Sequence, residues 1–269
     1  TRLDGHLHIQ REQGDWSIPG AIPQTAGLKT LQLTLDAHDN KLASSFELSS
    51  ETIGTVQAHA TLPLQSTADG WTVSSTAPIS GAIQSQITNL KWLDGLLGES
   101  MNADGHLQIQ ANVHGNWKQP IFSGTATGQN LSLLHLDHGL DLQQGSLVAS
   151  FHDSNLVIDH LRFNSPLSAP AETRWFKDLK LDQDTGKLNI SGNINLMGQG
   201  SLVDFQLHRL PLAHKTDYWI IASGSGQARW HSNQLSLLGK LRADAGLLLQ
   251  PPQDRPELSD DIVLVSQSS

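Results

Sequence analysis

Apolar residues fall at every second position along much of the chain. Leu31, Leu33 and Leu35 alternate with Gln and Thr, and Leu7 and Ile9 lie between His6, His8 and Gln10. Leu107, Ile109, Ala111 and Val113 repeat the pattern, followed by Leu131 and Leu133, then Leu140 and Leu142. Leu147, Ala149 and Phe151 continue it, as do Leu156 and Ile158. Beyond these come Leu188 and Ile190, Ile194 and Leu196, and Val203, Phe205 and Leu207. The last pairs are Leu235 with Leu237 and Leu247 with Leu249. A period of two predicts antiparallel strands with one apolar and one polar face. Turn-forming residues separate the runs at Asp39-Asn40, Asp69-Gly70, Gln144-Gly145, Asp153 to Asn155, Asp184 to Gly186 and Ser232-Asn233. Their spacing predicts hairpins in an all-β chain.

One segment breaks the period. Leu90, Leu93, Leu96 and Leu97 have helical spacing, with Asn89 placed to cap and Gly98 placed to stop. This predicts one short helix near 89–98, lying over an end of the apolar face. Pro166 to Pro170 reads as a loop and Leu210 to Tyr218 as an irregular crossing. A late strand is expected at Ile262 to Val265 in a Pro- and Asp-bearing tail.

The chain also echoes itself. Asp104-Gly105-His106-Leu107 repeats Asp4-Gly5-His6-Leu7 at an offset of 100, and the Gly, Trp and Pro that follow recur with one residue inserted. A repeat of that length points to a recurring block of strands rather than a helical solenoid. It also bears on a possible metal site. His6 and His8 have the spacing of two ligands on a strand end, but the second copy carries Gln108 in place of His8. A strand tolerates that exchange, whereas a metal centre loses a ligand. The pair therefore reads as the outward side of a strand, and no metal is expected.

Composition narrows the function. Charged residues are 16% of 269, and the net charge is 17 − 26 = −9, which argues against binding a nucleic acid backbone. There is no cysteine, hence no disulfide and no thiol nucleophile. No apolar run is long enough for a transmembrane helix, and no signal segment opens the chain. Thr1 reads as the start of a piece cut from a longer protein. Of the thirteen histidines, His135, His138, His152, His160, His208, His214 and His231 are spread over many strands and turns without paired ligand spacing. Gly198 to Gly200 and Gly224 to Gly226 precede no helix that could present its N-terminus to phosphate. No nucleophile elbow is present. The chain is read as no enzyme and as needing no cofactor. Trp16, Trp117, Trp175, Trp219 and Trp230 read as packing residues near turns and strand ends.

A one-sided sheet must cover its apolar face. Periodicity alone favours a closed sandwich or barrel over an open groove. An aliphatic trough would suit acyl chains, each buried methylene contributing about 0.8 kcal/mol.

The stretch from Gly105 to Phe163 changes that balance. Gly105, Gly115, Pro120 and Gly124 punctuate a strand, a turn and a meander in an order that resembles the TamB-like family of the AsmA-like group. Ala222 to Trp230, Leu235 to Leu241 and Ser259 to Val265 look like the region leading into the C-terminal domain of such proteins. The resemblance runs from about residue 89 onward. It implies an elongated, curved antiparallel sheet folded over into a hydrophobic groove. Residues 1–88 would form a first β-groove block and 89–269 a second, continuous with it. It further implies a periplasmic segment of a protein anchored in the inner membrane of a Gram-negative bacterium, partnered with a TamA-like outer-membrane barrel through other regions. The function implied is movement of phospholipid between the two membranes, with acyl chains against the inward residues. Those residues are Leu7, Ile9, Leu31, Leu33, Leu35, Leu107, Ile109, Val113, Leu131, Leu133, Leu147, Phe151, Leu156, Ile158, Leu188, Ile190, Ile194, Leu196, Leu235, Leu237, Leu247 and Leu249. A chaperone-like groove or edge for outer-membrane proteins, and a closed sandwich that binds a protein partner, are the alternatives.

Overall fold

The computed structural model describes residues 3–18, 24–67, 70–98, 100–168, 185–198, 200–231 and 234–249. The chain is nearly all strand. In order these are β1 (Gly5–Gln10), β2 (Ser17–Ile18), β3 (Gln24–Thr25), β4 (Leu28–His38), β5 (Lys41–Ser50), β6 (Gly54–Pro63), β7 (Gln65–Thr67), β8 (Gly70–Thr72) and β9 (Ser80–Ile87). A 3₁₀ turn (Lys91–Leu93) and helix α1 (Asp94–Leu97) follow. Then come β10 (Met101–Asn116), β11 (Gln119–His135), β12 (Leu140–Asp153), β13 (Asn155–Pro166), β14 (Thr185–Asn195), β15 (Ser201–His214), β16 (Tyr218–His231) and β17 (Gln234–Leu248).

Among the described residues, thirteen of these strands form one antiparallel sheet in the order β1-β4-β5-β6-β9-β10-β11-β12-β13-β14-β15-β16-β17. β1 and β17 are its two edges, so the sheet is not closed into a barrel. β9 pairs with β10 through seven residues from Leu107 to Val113, so the sheet runs unbroken past residue 88. No described helix is long and apolar enough to cross a membrane.

Turn chemistry accounts for the hairpins. Asp39 and Asn40 have φ of 47° and 58°, the left-handed pair that a two-residue hairpin needs. Asp153 has φ of 54° in the β12–β13 turn. Gln144 also has a positive φ of 52°, but it does not sit in a turn: β12 runs through it. It is a bulge, and others accompany it. Register shifts fall at Gln129/Leu131 in β11, seen against both β10 and β12, and at Gln143/Ser146 in β12. They continue at Ile158/Leu161 in β13, Leu207/Leu210 in β15 and opposite Ile221/Ala222 in β17. Each extra residue bends its strand, so the long strands fold along one line across the sheet. Leu210 to His214, expected as an irregular crossing, instead complete β15. Pro211 is accommodated because the ladder is already interrupted beside it, between Pro211 and Ala213.

Strong curl follows. The β11–β12 turn reaches the end of β15, where the His214 N–H donates to the His138 carbonyl at 2.7 Å across two intervening strands. The Tyr218 hydroxyl donates to the Asp137 carbonyl at 3.2 Å and lies 3.2 Å from His138 Nδ1. The expected short helix is present near the same strand ends. Asn89 Oδ1 accepts from the Lys91 N–H at 2.7 Å, and the Gly98 N–H closes α1 on the Asp94 carbonyl at 3.2 Å. Leu90 clusters with Ala103 and Leu131, and Leu93, Leu161 and Phe163 pack against that cluster, covering part of the apolar face.

Candidate apolar groove

Register places the apolar side chains in rows that cross the whole sheet. One row runs Leu31, Leu48, Val56, Ser85, Ile109, Ala126, Ala149, Ile158, Gly192, Val203, Ala228, Leu237, from β4 to β17. A second runs Ile87, Leu107, Gly128, Leu147, Leu161, Ile190, Phe205, Gly226, Gly239. Ser85 is the one hydrogen-bonding side chain in these two rows, and its hydroxyl is spent on the Thr55 carbonyl at 3.2 Å. The concave side is therefore an aliphatic floor with no free polar group in either row.

Most residues picked out from alternation lie on this face. Leu7 stands opposite Leu35, and Ile9 opposite Leu33. Leu107, Ile109 and Val113 line β10, and Leu131 and Leu133 line β11 below its bulge. Leu147 and Phe151 on β12 face Leu161 and Leu156 on β13. Leu156 faces Ile194, and Leu188 and Ile190 face Leu207 and Phe205. Leu235 stands opposite Trp230 at the far end of β17. Leu196 lies in the turn after β14 and is exposed. Leu247 is elsewhere. The bulge at Asp244 pairs it with Trp219, on the side of β16 opposite to Ala222 and Gly224, where it packs with Ile221 and Leu167. Leu249 follows β17, and its N–H donates to the Asp217 carbonyl at 2.8 Å.

Several floor residues lie outside the runs read from the sequence. β5, β6 and β9 contribute Phe46, Leu48, Val56, Ala58 and Ile83. Their signal was weak because Ser, Ala and Thr fill both faces of those strands. Phe163 is hidden by the bulge at Asp159-His160, which reverses the alternation that Leu156 and Ile158 establish.

The opposite face is polar. Gln57, Gln84 and Gln110 stand in one row, and Gln86 faces Gln108. His6 and His8 lie on this face: His6 Nδ1 is 2.5 Å from Asp36 Oδ1, and His8 Nδ1 is 3.1 Å from Thr34 Oγ1. Among the described residues, no group of three His, Asp or Glu is placed to hold a metal ion. A hollow of about 800 Å³ lies over β13 to β16, lined by polar groups including Arg162, Asn189, Asp204 and Gln227. Asp204 there accepts from the Gln227 amide at 2.8 Å. Of the tryptophans, Trp219 is fully buried with its Nε1–H on the Ser168 carbonyl at 3.0 Å, whereas Trp16, Trp117 and Trp230 are exposed. Trp175, the turn residues Asp69, Asp184, Ser232 and Asn233, and the expected strand at 262–265 lie outside the described residues.

Two carboxylates hold the frame beside the groove. Asp15 receives the backbone N–H groups of Trp16, Gly27 and Leu28 at 2.7, 3.0 and 3.2 Å. The Leu28 N–H is the main cause that holds its pKa below the usual 3.8, with the other two N–H groups and Arg11 adding to it. Asp244, at the β17 bulge, accepts from the Ser223 hydroxyl and from Arg242 at 2.8 Å. The Ser223 bond is the leading cause of its lowered pKa.

No family model, curated protein or solved structure matches the chain.

Proposed function

We propose that this chain is a periplasmic segment of a TamB-like protein and that its groove shields phospholipid acyl chains between two membranes. The observation that carries the reading is the uninterrupted row of aliphatic and small residues from β4 to β17. A surface of that kind offers a ligand no hydrogen bonds, so it cannot recognise a sugar, a nucleotide or a peptide backbone on its floor. It suits methylene chains, each transferred group contributing about 0.8 kcal/mol. The order of Gly105, Gly115, Pro120 and Gly124 supports the same family. In this mechanism the protein is passive. Acyl chains lie on the floor, head groups stay in water, and direction is set by other components.

The test is photo-crosslinking in a Gram-negative cell. Benzoyl-phenylalanine at Ile83 or Leu237 on the floor should capture phospholipid, and at Gln84 or Leu238 on the opposite face should not. Capture only from the polar face would defeat the proposal.

One observation favours a second reading, a groove that assists outer-membrane protein assembly. Among the described residues β17 leaves a long backbone edge unpaired, and an extended segment could add to it. Capture of unfolded outer-membrane protein in place of lipid would select that reading.

A further inference from the structure

The groove is not equally open along the sheet. On its β1 to β9 side the floor is accessible: Leu7 is 49% exposed, Ile9 53% and Ile83 43%. On its β17 side Leu237 is 65% exposed and Leu241 52%. Between them the lining is packed against itself. Leu131 is 6% exposed, Leu142 3%, Leu207 8% and Leu210 2%. Three clusters make this packed section. One gathers Leu90, Ala103 and Leu131 beneath the 3₁₀ turn, a second gathers Ala126, Ala149 and Ile158 on β11 to β13, and the third gathers Leu142, Leu207 and Leu210 where β12 meets β15. Phe163 packs against the first and the third.

Phe163 is also seated unusually. Its ring lies over Gly145, where an added Cβ would collide with it and would come within 2.7 Å of Leu131 Cβ. The missing side chain lets the ring lie down between the first and third clusters. The His214 to His138 backbone bond braces the curl that brings them together.

We propose that Phe163 is a gate between two open troughs, and that an acyl chain crosses from one trough to the other only when this ring leaves its seat on Gly145. The proposal rests on the acyl-chain reading above and adds that the path is closed at rest. Opening exposes buried aliphatic surface, which an arriving chain would cover again, so the ligand itself favours the open form.

Two measurements test it. In the first, the chain is mixed with phosphatidylcholine vesicles carrying a diazirine on one acyl chain, and adducts are mapped by mass spectrometry. Wild-type adducts should fall near Ile83 and Leu237, with few at Leu161 or Leu188. Phe163→Ala should raise adducts at Leu161 and Leu188 several-fold, and Phe163→Leu, a milder change, should raise them less. The second measurement needs no lipid. The chain has no native cysteine, so a Leu142→Cys thiol is a clean probe. Its modification should be slow with Phe163 present and about tenfold faster with Phe163→Leu, since removing the ring lowers the cost of local opening. Even adduct density through the packed section of the wild type, or a thiol rate indifferent to position 163, overturns the gate. Adducts nowhere defeat the acyl reading, and the thiol rates then decide the gate alone.

Discussion

Ser165 and Asp244 show how differently two polar groups behave on this sheet. Ser165 is 1% exposed, and its hydroxyl has no hydrogen-bond partner among the described residues. An unsatisfied buried hydroxyl costs stability. Ser165→Ala should therefore raise stability by roughly 1 kcal/mol in urea unfolding followed by tryptophan fluorescence. Loss of stability would mean that the hydroxyl has a partner in solution. Asp244 is the opposite case, with its side chain 15% exposed and held by Ser223 and Arg242. Asp244→Ala should cost roughly 1–2 kcal/mol near neutral pH, because two donors lose their acceptor. The pH dependence follows from the sign of the shift. The folded pKa lies below the ordinary 3.8, so the carboxylate's contribution is complete above 3.8 and is lost as pH falls through the folded value. Wild type and Asp244→Ala should differ by a constant amount above pH 3.8 and draw together only as the pH falls below that, through the lowered folded value.

At the scale of the strand, β17 is one of the sheet's two edges among the described residues. Leu235, Leu237 and Leu241 project from one face and Leu238 from the other, each more than half exposed. Such an edge invites pairing with another chain unless charges discourage it. Lys240 and Arg242 lie on the same side as Leu238. Arg242 is engaged with Asp244, which leaves Lys240 as the residue best placed to keep other strands away. Lys240→Ile should shift the chain toward higher oligomers in sedimentation velocity, while Lys240→Arg should not. Strands of this kind were legible in the sequence wherever the period of two was carried by Leu and Ile, as in β4, β10 and β14. The period failed where the chain inserts one extra residue. Asn130, Gln144 and Arg209, all with positive φ, interrupt strands that continue beyond them. In sequence, a bulge and a turn look alike, because both use residues that tolerate a left-handed backbone. Gln144-Gly145 was read as a turn for that reason. Two further bulges, at Asp159-His160 and at Asp244, hid Phe163 and moved Leu247 off the groove face, since each reverses which side the following residues take.

For the whole molecule, the question raised by alternation alone was what covers the apolar face. A second sheet was the ordinary answer, and among the described residues none lies over that face. Instead, aligned bulges fold the long strands and bring β12 to β15, so the middle of the face is covered by its own side chains while both ends stay open. Small residues make that curl possible. Gly124 is one example: β11 approaches β10 so closely there that a Cβ would come within 2.7 Å of the Ala111 Cα. Gly124→Val should therefore loosen the β10–β11 pairing and raise amide exchange in both strands. A shape of this kind has a scattering signature. A compact globule of this length has a radius of gyration of about 18 Å. Neighbouring strands lie about 4.8 Å apart, so thirteen of them in one open sheet carry mass well beyond that radius even when the middle is curled. Small-angle scattering should give a radius of gyration clearly above 18 Å and a skewed distance distribution. A value at the compact limit would mean that the edges β1 and β17 come together in solution, and with that the open troughs at Ile83 and Leu237 would be lost.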